Sequence, residues 1–154
     1  MIHLISFTDR GQTLAEALAR ALDGQAVRCG PGSLNGWTQE RFQQGNALIF
    51  VGAVGIAVRA IAPCVKSKTT DPAVVAVDET GKFAIPLLSG HLGGANELAQ
   101  KIAAVCGAVP VITTATDLHG VFAVDQWAKQ QNCAILNPEG TKKVSGALLA
   151  GERV

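Results

Sequence analysis

The sequence predicts an α/β fold: an open, mainly parallel sheet with helices on both faces and one hairpin. Three observations carry that expectation. Short apolar runs alternate with helical patterns along the whole chain. Two of those runs, A-L-I-F-V at 47–51 and A-V-V-A-V at 73–77, are apolar at every position, as strands covered on both faces must be. Third, 17 glycines in 154 residues supply the tight connections that so many alternations need.

Taken in order, residues 2–7 read as a first strand. Thr8-Asp9 then caps a helix with Leu14, Ala15, Leu18, Ala21 and Leu22 at helical spacing. Gly24 is read as its stop. Residues 26–29 are a short strand, 30–33 a loop, and 37–44 a short helix. The strand at 47–51 runs into G-A-V-G, which opens a helix reaching about residue 62. Pro63 and a polar run through Pro72 end it. The strand at 73–77 is followed by the turn D-E-T-G-K and a return strand from Phe83, which together predict a hairpin. A helix follows to about Cys106, with Gly107 as its stop. Then come a strand at 110–113, a helix at 121–131, a short strand at 134–136 and a helix started by Pro138 and reaching Ala150. The pattern is Rossmann- or flavodoxin-like. It divides into an α/β domain over residues 1–137 and a linker or C-terminal helix over 138–154.

Composition narrows the function classes. A net charge of +1 provides no basic field for nucleic acid or a membrane surface. Aromatic residues are 5%, with no Tyr, which argues against a base-stacking platform. Cys29, Cys64, Cys106 and Cys133 form no CxxC pair and sit in or beside apolar runs. They therefore suggest neither a metal site nor a disulfide framework, and a cytoplasmic location is expected. The first residues lack a charged leader and a cleavage site, and no apolar run reaches the ~18 residues of a membrane span.

The most informative stretch is I-P-L-L-S-G-H-L-G-G-A-N-E-L-A-Q at 85–100. It reads as a strand delivered into a glycine-rich corner that opens a helix. Such a corner offers backbone N–H groups to an anion. His91 is titratable near neutral pH and is the best general acid or base by pattern. Ser89, Gly90, Gly93, Gly94 and Asn96 are candidate ligand contacts, with Glu97 a further acceptor. In open parallel sheets ligands bind beyond the carboxyl ends of the strands. That rule gathers Thr8-Asp9, residues 52–55, residues 89–94 and residues 113–117 on one rim. Gly52 and Gly55 are candidates for an anion cradle, or for close helix–strand packing; neither the G-x-G-x-x-G nor the Walker pattern is present. Arg59, one turn past Gly55, is a candidate for an acidic group or a solvated helix residue. Lys66 and Lys68 lie in the polar loop with Asp71, a solvated segment or a gate. Thr113, Thr114, Thr116 and Asp117 are candidate donors and acceptors, or capping residues. A Ser89–His91–Asp117 triad is conceivable, but Ser89 lies outside a G-x-S-x-G elbow. His3 and His119 read as incidental.

Four runs together resemble a known family. G-A-V-G-I-A-V-R-A-I-A-P (52–63), K-x-x-D-P-A-V-V-x-V-D-E-x-G (68–81), P-L-L-S-G-H-L-G-G-A-N-E-L-A (86–99) and P-V-I-T-T-A-T-D (110–117) are similar to the N-terminal part of the CbiG proteins of cobalamin biosynthesis. The resemblance implies hydrolysis of cobalt-precorrin-5A, in which a lactone of the macrocycle opens and acetaldehyde leaves. It implies a corrinoid intermediate as ligand, with cobalt carried by that substrate and no cofactor or metal site in the protein. It also implies a C-terminal CbiG domain as partner, while a homo-oligomer is compatible with the sequence. His91 would then act as base, and Arg59, Lys66 and Lys68 would hold peripheral carboxylates. The corner amides of 90–94, or those of 52–55, would stabilise the oxyanion. The competing expectation is a non-catalytic tetrapyrrole-binding module serving a separate C-terminal catalytic domain; without the resemblance, it is a generic nucleotide- or phosphosugar-binding α/β domain.

Overall fold

The computed structural model describes residues 1–120, 122–152 and 154, apart from the side chains of Thr116, Gln126, Lys129, Gln130 and Pro138. The chain forms two compact units, Met1–Val111 and Ile112–Val154. The first carries strands β1 (Ile2–Ser6), β2 (Gly24–Arg28), β3 (Ala47–Val51), β4 (Ala73–Val77), β5 (Phe83–Leu88) and β6 (Val109–Pro110). They form one sheet in the order β2-β1-β3-β4-β5-β6. The ladders β1–β2, β1–β3 and β3–β4 are parallel. The β4–β5 ladder is antiparallel, and β6 runs parallel to β5. The sheet therefore reverses direction once, at the predicted hairpin.

Helices α1 (Asp9–Leu22), α2 (Leu34–Arg41), α3 (Val54–Ile61) and α4 (Ala95–Cys106) cover both faces of the sheet. Strand side chains alternate between the faces. Leu4, Ile49, Val51, Val75 and Val77 point to one side, against Leu18 of α1 and Leu98 and Ile102 of α4. Ile5, Leu48, Phe50, Val74 and Ala76 point to the other, against Trp37 of α2 and Ala57, Ala60 and Ile61 of α3. Every residue of β4 is buried, which is why its sequence shows no alternation. Pro86 is tolerated inside β5 because the ladder slips there: Val75 pairs with Pro86 and Val74 with Leu88.

Several boundaries differ from expectation, and the strand expected at 110–113 is reduced to β6 at Val109–Pro110. Asp23, at φ 53°, makes the left-handed stop of α1, and Gly24 already belongs to β2. An added Cβ at Gly24 would come within 3.0 Å of the Ile2 carbonyl, so the glycine is needed for close strand packing. The second helix starts at Leu34 and not Trp37. The Ser33 hydroxyl closes the preceding loop on the Gly30 carbonyl at 2.9 Å, and Trp37 packs edge-on against Phe50, 5.8 Å between centroids. His3 is buried in β1. Its pKa is lowered by burial, then by Arg41 and the N-terminal ammonium.

The hairpin turn is organised by Asp78. Its carboxylate accepts from the amides of Thr80, Lys82 and Phe83 at 2.7–2.9 Å, and from the Thr80 hydroxyl. Burial alone raises its pKa. The hydrogen bonds from Thr80, Phe83 and Lys82 outweigh that and hold the carboxyl below its ordinary range. A depressed carboxyl contributes stability that is full above the unfolded value, near ~4. The contribution is lost as pH falls through the folded value. Asp78→Ala should therefore destabilise the protein by about 2 kcal/mol at pH 7, and the gap to wild type should shrink as pH drops below about 4. Urea denaturation of both proteins at several pH values checks this.

The second unit carries α5 (Ala115–Leu118), α6 (Val124–Gln130) and α7 (Pro138–Leu149). Asn137 caps α7 by accepting from the Gly140 amide at 3.2 Å. Of the expected helix at 121–131, Val121 lies outside the described residues. The strand expected at 134–136 does not form. Leu136 is 96% exposed, so the three-residue run buries too little to hold a ladder.

Candidate functional site

The reversal at the hairpin decides where the candidate residues lie. Gly52 follows β3 and donates its amide to the Val77 carbonyl at the end of β4, 2.8 Å away. Leu88, the last residue of β5, pairs with Val74 near the start of β4. The Ser89 hydroxyl donates to the Asp71 carbonyl, ahead of β4, at 2.9 Å. Gly52 and Ser89 are thus separated by the length of β4, about 15 Å for five residues. The single rim expected from the sequence is two edges. The carboxyl-end rule holds for parallel strands, and β5 runs the other way.

The carboxyl-end edge holds Thr8, Asp9, Gly52, Gly55, Asp78 and Glu79. The Thr8 hydroxyl donates to Glu79 at 2.5 Å and accepts from the Gly11 amide at 3.0 Å, closing the start of α1. Asp9 pairs with Arg28 at 3.3 Å. Gly52 is required by packing: a Cβ there would lie 2.7 Å from the Phe7 ring. With its amide given to Val77, Gly52 is not an oxyanion donor. Arg59 folds back along α3, its guanidinium 3.4 Å from where a Gly55 Cβ would sit.

The amino-end edge holds the histidine corner and the lysine loop together. In the corner, Ser89 is left-handed at φ 57°. The Gly94 amide donates to His91, Ala95 to Ser89 and Asn96 to Gly90, each at 3.1 Å. These bonds remove Gly94 from the expected oxyanion donors. Three glycines are needed for three different reasons. A Cβ at Gly93 would fall 2.3 Å from the Ser89 Cβ, and one at Gly90 would fall 2.9 Å from the Asn96 amide oxygen. Gly94 caps α4 at φ 84°. Asn96 is buried against the turn, His91 is half-buried, and Glu97 forms an i,i+4 pair with Lys101 at 2.8 Å.

Asp71 joins the corner to the lysine loop. Its carboxylate, 7% exposed, accepts from the amides of Lys66 (2.9 and 3.2 Å) and Ser67 (3.1 Å). Its carbonyl takes the Ser89 hydroxyl. Lys66 and Lys68 are exposed on the loop so formed. In the sequence, Asp71 is one polar residue of a loop. The usable signal is an acid separated by one residue from the five core residues of β4, where its carboxylate must find donors.

Thr113, Thr114, Thr116 and Asp117 belong to the second unit. Thr113 is exposed, the Thr114 hydroxyl bonds the Asp117 carboxylate across the first turn of α5, and the side chain of Thr116 lies outside the described residues. His119 is exposed at the end of α5.

The first unit is thus a doubly wound α/β domain with a reversed sheet edge, presenting an imidazole, two ammonium groups and a strained glycine corner on one edge. The chain belongs to the cobalamin synthesis G N-terminal family, whose sequence profile matches residues 36–117. It is 48% identical over 117 residues to a cobalt-precorrin-5A hydrolase of Salmonella typhimurium, covering 75% of this chain and 33% of that protein. It is 38% identical over 130 residues to the Priestia megaterium protein of the same name, covering 84% and 35%. Among solved structures, a cobalamin biosynthesis protein G homologue from Sulfolobus solfataricus matches with a TM-score of 0.63 and 28% identity, over 97% of this chain and 46% of that one. The chain spans about a third of the length of the curated relatives it matches.

Proposed function

We propose that this chain is the N-terminal part of a cobalt-precorrin-5A hydrolase and that the macrocycle meets it at the amino-end edge. The observation that carries the site is the Ser89–Asp71 bond, which ties the His91 corner to the Lys66–Lys68 loop. Lactone hydrolysis needs a base for water and donors for the developing oxyanion. His91 takes a proton from water as its oxygen adds to the lactone carbonyl. The acyl–oxygen bond breaks, and the freed alkoxide takes up a proton. Loss of the proton from that hydroxyl then drives carbon–carbon cleavage. Acetaldehyde leaves, and the macrocycle accepts the electron pair. The Gly90 and Gly93 amides are the proposed oxyanion donors. Lys66 and Lys68 face peripheral carboxylates of the polyanion, whereas Arg59 stands at the opposite edge. Cobalt enters as part of the substrate, and the protein needs no cofactor of its own. The four cysteines are free thiols, which supports a cytoplasmic location, and among the described residues no helix is long and apolar enough to cross a membrane.

A second reading follows from the share of its relatives that the chain spans: this part holds the macrocycle while the rest of their length does the chemistry. Titration with a cobalt corrinoid, beside an acetaldehyde assay, separates the two. Acetaldehyde release by this chain supports the first reading. Binding without release, with release restored by the full-length protein, supports the second. Neither binding nor release by either protein would end both.

A further inference from the structure

A cavity of about 570 Å³ opens beside the lysine loop, between the ends of α2 and α3. That volume lies in the range of small-molecule pockets. Its walls include Phe42 and Pro63, which offer apolar surface, and Gln39 and Lys66, which offer donors. Neither the Gln39 amide nor the Lys66 ammonium has a hydrogen-bond or ion partner among the described residues. Asp71 forms part of the same wall, but its carboxylate is engaged by the Lys66 and Ser67 amides. The loop is held from the other side as well, by the Gln44 amide on the Thr69 carbonyl at 3.4 Å. Phe42 and Pro63 offer apolar surface to a short aliphatic stem, and the Lys66 ammonium and Gln39 carboxamide offer donors to a terminal carboxylate.

We infer that this cavity is a subsite for one carboxylate-bearing side arm of the macrocycle, with Lys66 as ion partner, Gln39 as second donor and Phe42 as the wall for the arm's methylenes. The inference rests on the hydrolase reading and adds α2 to the site. The cavity is joined to the corner through Asp71 and Ser89, so an arm seated here anchors the ring at the edge that carries His91. The arm is recognised by charge, which makes the esterified form a discriminating probe.

The experiment titrates this chain with cobyrinic acid, a cobalt corrinoid with free carboxylates, and with its methyl ester. Wild type should bind the acid at least about tenfold more tightly than the ester. Lys66→Gln should weaken acid binding by about tenfold, and Gln39→Ala by about threefold. Lys82→Gln, at the opposite edge, should leave binding unchanged. Lys66 and Gln39 are exposed, so the variants should fold, which circular dichroism checks. Equal binding of acid by wild type and both variants, equal affinity for acid and ester, or no binding of the acid would each overturn the subsite. Acetaldehyde release by full-length protein is measured in parallel. Release that persists while the subsite fails leaves the hydrolase reading standing, and loss of release from wild type itself removes that reading.

Discussion

Gly93→Ala is expected to destabilise the protein by about 3 kcal/mol, at the upper end for an overpacking substitution. The new Cβ would sit 2.3 Å from the Ser89 Cβ and 2.8 Å from the Ser89 carbonyl oxygen. A clash with a flexible side-chain tip relaxes easily, but this one involves a Cβ and a backbone oxygen. Ser89 cannot withdraw without loss: it is already left-handed, its carbonyl accepts the Ala95 amide, and its hydroxyl holds Asp71. Relief therefore means opening the corner and releasing the start of α4. Gly94→Ala serves as the comparison. Its φ of 84° penalises any side chain, so about 1 kcal/mol is expected. Equilibrium urea denaturation reads both. A Gly93→Ala protein within 1 kcal/mol of wild type would mean that the corner is not held as described.

Asp71→Ala is the second large effect, about 3 kcal/mol. Removing the carboxylate leaves the Lys66 and Ser67 amides without their acceptor in a partly buried place, and it opens a gap beneath the loop. Asp71→Asn should recover roughly half of that, because the amide oxygen still accepts but without charge. The two variants also separate support from stability. If Asp71 positions Lys66 for the substrate, Asp71→Asn should raise KM of the full-length enzyme while kcat stays near wild type. Equal falls in kcat and kcat/KM would assign it a different role.

Much of the fold was legible. β3 and β4 were visible as all-apolar runs because both sheet faces are covered. Thr8 announced α1 as a capping residue, and the five-residue D-E-T-G-K turn announced the hairpin, being too short for a parallel crossover. A hairpin reverses the strand that follows it, so the end of β5 lies with the start of β4, and the carboxyl-end rule holds for β4 but not for β5. Local pattern cannot show which sheet edge a corner reaches; pairing does, here through Val74 with Leu88. The glycines of the corner were legible as a turn, but not the need for Gly93, which arises only when Ser89 folds over it. Asp71 was hidden for a related reason. Its partners are backbone amides, which no side-chain motif advertises. The short run at 134–136 looked like a strand because apolar residues alone do not reveal whether a neighbouring edge exists.

The most direct test of the central claim is acetaldehyde release from cobalt-precorrin-5A by full-length enzyme carrying His91→Ala. With His91 as the base, turnover should fall by about a hundredfold or more, and the variant should still bind the corrinoid. Turnover equal to wild type would remove His91 from the chemistry and, with it, the assignment of the amino-end edge as the reacting site.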